Sequence, residues 1–209
     1  MTAIATNQPG PLDMAVLAAM PLAAVPLDGR FVALETGRRL LAARDGFYIE
    51  AANASLYVRW RIAACVTPWG PVTDAIRLRH GPIPLSFAHQ LGKAAREAHP
   101  REMAALVLAD SDGAYSLRFP PSQATGASVS YSDADYAEDA LVIDAHSHGQ
   151  FPAIFSRMDD DSDRSRFGPH LSVVFGRCNP GGQFEYAVRL CVGDYLLPIP
   201  EATFEELFA

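Results

Sequence analysis

Cysteine is scarce in this sequence. Cys65, Cys178 and Cys191 stand far apart with no Cys-x-x-Cys pair, which excludes a disulfide framework and a thiolate zinc site and fits a reducing, cytoplasmic setting. Clustered basic residues are missing too. With a net charge of -7 and no basic block to neutralise a run of phosphates, no nucleic-acid partner is expected. Long apolar runs are also lacking. The stretch Met14 to Leu27 is interrupted by Pro21 and Pro26 and has no Lys or Arg ahead of it, so it reads as mature sequence rather than a leader. Nothing approaches the roughly 18 residues that a membrane-spanning helix needs, so no membrane partner is expected. No repeat of the 20 to 50 residue kind is visible.

What is there is the balance of a folded protein, 49% hydrophobic and 20% charged over 209 residues. From Arg30 to Ala64, short apolar and aromatic runs alternate with turn signals such as Arg44-Asp45-Gly46 and Ala52-Asn53, the pattern of strands and hairpins. Leu56, Val58, Trp60 and Ile62 fall on one face of a half-buried strand, with Tyr57, Arg59 and Arg61 opposite. Trp60, Trp69 and Tyr57 are expected in the core of this β-rich module. Between Thr67 and Pro84 the density of Pro and Gly suits a connection between units. The reading is therefore two units: residues 1–84, a small β-rich module, and residues 85–209, which carry the chemistry and are expected to fold alone.

Beyond Pro84, Ser86 is placed to cap a helix running to Glu97 or Ala98, with Phe87, Leu91, Ala94, Ala95 and Ala98 at helical spacing. Pro100 ends it. Met103 to Ala109 and Tyr115 to Phe119 read as a hairpin around Asp110 to Gly113. A polar stretch follows, with helix expected near Ser132 to Glu138. Leu141 to Ile143 begins a buried strand, and Leu171 to Phe175 and Tyr186 to Val192 are further strands joined through Asn179-Pro180-Gly181-Gly182. The fold class is α/β (α+β), a mixed sheet flanked by helices.

The informative segment is Asp144-Ala145-His146-Ser147-His148-Gly149, then Ser156-Arg157-Met158-Asp159. Residues two apart in a strand point to the same side, so His146 and His148 can direct two imidazoles at one point. Alone, the pair is weak, arising in roughly one shuffled sequence in six. Ser156 and Asp159 are three apart, which aligns them on one helical turn, and Ser-x-x-Asp is equally a helix start. A helix start docked beside the strand end could do both. Asp160, Asp161 and Asp163 read as solvated charge on the same turn. Two imidazoles and one carboxylate leave a fourth position of a tetrahedral Zn²⁺ for water, the pattern of a catalytic site.

These residues resemble a family. His-Ser-His, seven residues, Ser, two residues, Asp matches the JAMM (JAB/MPN) metalloprotease motif at every defined position, a coincidence expected in roughly one sequence in a thousand. The resemblance covers about residues 85 to 195. It implies a JAMM/cytidine-deaminase-like fold with Zn²⁺, one per chain, held by His146, His148 and Asp159. It also implies a general base just after the first helix, where Glu102 stands, although Ala105 and Ala109 replace the family's usual glycines. Ser156 is implied to donate to the oxyanion. The N-terminal extension makes the chain similar to the protein A group of the bacterial PRTRC cassette, which implies a ubiquitin-like protein as substrate and a ThiF-like adenylating enzyme and a ParB-like protein as neighbours. The implied activity is that of a zinc isopeptidase. The alternative is a non-catalytic scaffold of the same fold, binding the ubiquitin-like protein or the adenylating enzyme. Glu35, Glu50 and Glu97 are rivals for the base, and His80, His89, His99 and His170 read as ordinary polar residues. A nucleobase deaminase would need His-x-Glu with Cys-x-x-Cys, and a thermolysin-type protease His-Glu-x-x-His. Neither pattern is present.

Overall fold

The computed structural model describes residues 10–124, 129–131, 136–182 and 185–209. Two sheets dominate it. The first follows an exposed helix, α1 (Pro11–Ala19), and has the order β1-β2-β3-β4-β5, formed by β1 (Leu22–Ala24), β2 (Gly37–Ala43), β3 (Gly46–Ala52), β4 (Leu56–Ala64) and β5 (Ala75–Leu78). Only the β1–β2 pairing is parallel. The Asn53 carboxamide oxygen makes the β3–β4 turn by accepting from the amides of Ser55 and Leu56, at 3.0 and 2.7 Å. The predicted face of β4 is correct: Leu56, Val58, Trp60 and Ile62 all join the main core. Trp69 instead lies largely on the surface, at 42% exposure.

The second part of the chain begins with α2 (Leu85–Ala98), followed by β6 (Ala104–Ala109), β7 (Tyr115–Arg118) and a small ladder of β8 (Ser122–Ala124) and β9 (Val129–Tyr131). Then come β10 (Leu141–Ser147), α3 (Arg157–Arg164), β11 (His170–Gly176), β12 (Glu185–Val192), β13 (Tyr195–Pro198) and α4 (Glu201–Glu205). Its sheet has the order β13-β12-β11-β10-β6-β7, with β10 and β11 parallel and the rest antiparallel. The expected mixed α+β architecture is the observed one. Of the helix expected near Ser132 to Glu138, residues 132–135 lie outside the described residues, and Glu138–Ala140 form a single 3₁₀ turn. The helix α2 is capped by Pro84, not by Ser86, which sits inside its first turn. The cause is tertiary: the Leu85 amide donates to the carbonyl of Ala209, drawing the helix start two residues earlier.

Alternation gives the second sheet two unlike faces. One presents Ala105, Val107, Ile143, Ala145, Leu171, Val173 and Leu190 to the core. The other carries Asp144, His146, His170, Ser172, Arg189 and Cys191, all buried. The apolar face shares one continuous core with Leu91 and Ala95 of α2 and with Ile49, Ala51, Leu56 and Val58 of the first sheet. The connecting segment is part of the packing. Ile83 is fully buried and exchanges backbone hydrogen bonds with the C-terminus, from its amide to Leu207 and from Ala209 back to its carbonyl. Independent folding from Pro84 onward, expected from the density of chain breakers, finds no support in this shared core.

Candidate metal centre

His146 lies at the end of β10, flanked by Ala104 of β6 and Val174 of β11. The His148 amide donates to the carbonyl of Phe175 at 2.8 Å, which prolongs strand geometry one residue beyond Ser147 and keeps both imidazoles on one side. Gly149 then turns the chain with φ +53, and a Cβ there would meet the carbonyl oxygen of Pro100 at 2.6 Å, so only glycine fits. The loop that follows rests on Gly176, where a Cβ would meet the Ala153 nitrogen at 2.1 Å. That contact aims the chain at Ser156 and α3.

Ser156 caps α3. Its Oγ accepts from the Asp159 amide at 3.3 Å, while Asp159 Oδ2 accepts from the Ser156 amide at 2.6 Å, a reciprocal capping box. The box fixes the Asp159 rotamer with its other oxygen facing the strand. Asp159 Oδ1 lies 3.2 Å from His146 Nε2, Asp159 Oδ2 lies 3.5 Å from His148 Nε2, and the two Nε2 atoms are 3.2 Å apart. Donors about 2.0–2.1 Å from a tetrahedral zinc stand roughly 3.3 Å from one another. The two imidazole nitrogens stand near that separation from each other, each has one Asp159 oxygen near it, and one donor atom from each of the three residues falls within 4.8 Å of the others, so this zinc-like donor set could hold a metal ion.

Glu102 reaches the same place from across the sheet. The β6–β10 register pairs Ala104 with His146, and Met103 with Ser147 follow through two hydrogen bonds: the Met103 amide donates to Ser147 Oγ and the Ser147 amide donates to the Met103 carbonyl, both at 3.0 Å. One further step sets Glu102 opposite His148. Its rivals are occupied elsewhere, Glu35 with Arg79, Glu50 with Arg39 and Glu97 with Lys93. Glu102 is only 6% exposed. Burial pushes its carboxyl up, partly offset by His148 and His146 and reinforced by Asp159. His148 is raised chiefly by its hydrogen bond to Asp159. For Asp159 itself burial works upward, but the hydrogen bonds from His146 and His148 prevail and hold it well below the usual carboxylate range.

Residues 84–189, just over half of the chain, match the family described as prokaryotic homologs of the JAB domain. The chain belongs to this family. Ahead of the JAB domain, residues 10–79 match a domain of unknown function (DUF2016). No curated protein matches the chain.

Behind His146, His148 and Asp159 lies a second cluster that the sequence did not announce. Asp163, His170 and Cys191 are all buried and gathered closely enough to suggest metal ligands. Here, however, a cation is already supplied by the chain. Arg189 Nη2 and Nε lie 2.6 and 2.8 Å from Asp163 Oδ2, and its Nη1 lies 2.5 Å from Asp160 Oδ1. Burial pushes the Cys191 thiol up, and Asp163 adds to the effect, so it stays protonated and donates to Asp163 at 3.3 Å. Two expectations are corrected: Asp163 is 3% exposed rather than solvated, and His170 is 1% exposed and within 3.5 Å of Asp163. One signal pointed here. Arg189 is the only charged residue in the apolar strand Tyr186 to Val192.

Proposed function

We propose that the chain is a zinc-dependent isopeptidase that cleaves an amide bond after the tail of a ubiquitin-like protein. The observation carrying this reading is the gathering of His146, His148 and Asp159 donor atoms within 4.8 Å of one another, with Glu102 opposite His148. A bound Zn²⁺ supplies Lewis acidity, polarising an amide carbonyl and acidifying a water molecule. The chain supplies the rest. The Glu102 carboxylate takes a proton from the attacking water and returns it to the leaving amine nitrogen, a task helped by a buried carboxyl whose affinity for protons is raised. Ser156 Oγ, which only accepts within its capping box, keeps its own hydrogen free to donate to the carbonyl oxygen as negative charge develops. The ubiquitin-like protein, and an adenylating enzyme of the ThiF type as a companion, belong to this proposal through the family resemblance.

The test begins with metal content. Purified protein loaded with Zn²⁺ is expected to retain about one ion per chain and to release the tail of a ubiquitin-like fusion or isopeptide. His146→Ala and Asp159→Ala should lose both properties, whereas Asp161→Ala should keep them. Stable zinc with no hydrolysis of any ubiquitin-like substrate, alongside tight binding of one, would replace the enzyme by a scaffold.

A further inference from the structure

The triad sits on two separate elements. His146 lies in β10, His148 just beyond its end and Asp159 in the first turn of α3, so the three come together only if α3 is held at the correct height above the sheet. The capping box orients Asp159 within its helix but does nothing to fix the helix on the strands. Arg189 does bridge the two. It projects from the middle of β12, 5% exposed, and its guanidinium engages both Asp160 and Asp163, which lie on either side of one turn of α3, three residues apart. The same guanidinium lies over the ring of Phe155, with Cζ 3.8 Å from the centroid, and the Phe155 ring meets that of His146 at 6.4 Å between centroids, edge to face. One side chain thus reaches the carboxylate arm of the triad through α3 and an imidazole arm through Phe155.

We propose that Arg189 is a positioning residue, a buried clamp that locks α3 and Phe155 onto the sheet and thereby sets the separation between Asp159 and the two histidines. The inference rests on the metal-centre reading above. A planar guanidinium is suited to the task because its fork holds two carboxylates while its face stacks on an aromatic ring. His170 completes the clamp at the other Asp163 oxygen, Oδ1, and the Cys191 thiol donates to Oδ2 beside the guanidinium. The clamp touches neither the metal position nor any reacting atom, so its effect reaches the chemistry only through geometry.

The experiment compares full-length wild type, Arg189→Met and the paired Asp163→Asn/Arg189→Met variant. Zn²⁺ affinity is read by competition with a chromophoric chelator, the visible spectrum of the Co²⁺-substituted protein reports ligand geometry, and the urea midpoint reports stability. Arg189→Met strands a buried charge and should be destabilised. The paired variant strands none, so it should recover most of the lost stability. The clamp predicts that this recovery does not extend to the metal: affinity stays down by about 10-fold or more, in the range typical of groups that orient ligands, and the cobalt spectrum stays altered. If the paired variant binds Zn²⁺ as wild type does once stability returns, Arg189 is merely structural and the proposal falls. Should neither Arg189 variant fold, Phe155→Leu cuts the imidazole arm at a partly exposed position. Weaker Zn²⁺ binding at an unchanged urea midpoint supports the clamp, and unchanged binding overturns it. Wild type that binds neither Zn²⁺ nor Co²⁺ would instead remove the metal centre itself, and the clamp's purpose with it.

Discussion

Glu102 and His148 face each other across a strand pair, and the proposed function gives each a different task. In the proposed reaction Glu102 moves protons, so Glu102→Gln, which keeps size and removes basicity, should leave zinc content and stability near those of wild type while lowering hydrolysis by about 10² to 10⁴. Loss of zinc on this change would make Glu102 a ligand, and full activity would move the base to another acid. His148 must be neutral to ligate a metal. Its proton is held by Asp159, so it is lost only above the ordinary value of 6.5. Protons therefore compete with zinc already above that pH, and the apparent Zn²⁺ affinity should decline steadily as the solution is taken from pH 8 to pH 6. An affinity that stays level down to pH 6, measured by chelator competition, would contradict the geometry of the His148–Asp159 pair.

The element that matters most is α3, an eight-residue helix with five charged residues, Arg157, Asp159, Asp160, Asp161 and Asp163, before its final Arg164. Propensity alone would not make so short a helix persist. It is held by its capping box at one end and by Asp163 beneath. Burial would raise the Asp163 carboxyl, but the hydrogen bond and charge of His170, with Arg189, bring it down to about 2 from 3.8. The sign follows directly. The unfolded chain takes up a proton near pH 4 while the folded one resists until about 2, so this stabilisation is complete above pH 4 and is lost between about pH 4 and 2. Its size is about 2 kcal/mol. The stability difference between wild type and Asp163→Asn, taken from urea unfolding, should therefore shrink by that order as the pH falls from 5 to 2. A difference independent of pH would mean that Asp163 is not ionised in the folded protein.

At the scale of the whole molecule, the two family matches meet near residue 80, yet the hydrophobic core runs through that point. Ile49, Leu56, Val58 and Ile83 are fully buried in it. Burying side chains of this size is worth about 1.5–3 kcal/mol each, and four of them together rival the 5–15 kcal/mol that stabilise an ordinary domain. A fragment spanning residues 84–209 is therefore expected to aggregate or to unfold at much lower urea concentration than the full chain, and to bind zinc poorly. A fragment that is soluble and loads zinc like the full chain would show that the JAB domain is self-sufficient. No described helix is long and apolar enough to cross a membrane.

The sequence by itself determined the parts that depend on short spacing. Two histidines two apart in a strand, and a serine and an aspartate three apart at a helix start, need only backbone periodicity to face one way. The β4 face and the six-residue hairpin strand from Ala104 to Ala109 were legible from local pattern too. Glu102 was readable only through the family resemblance, because its place opposite His148 depends on the β6–β10 register, which pairs residues 33 to 42 positions apart. Tertiary structure alone decided the rest. Nothing near Asp163, His170 or Arg189 in the chain announces that they meet, and Arg189 shows only as a charge in an apolar strand. The merging of two chain segments into one core was equally hidden: Pro and Gly report where the backbone turns, whereas a core is fixed by which apolar faces come to lie against each other.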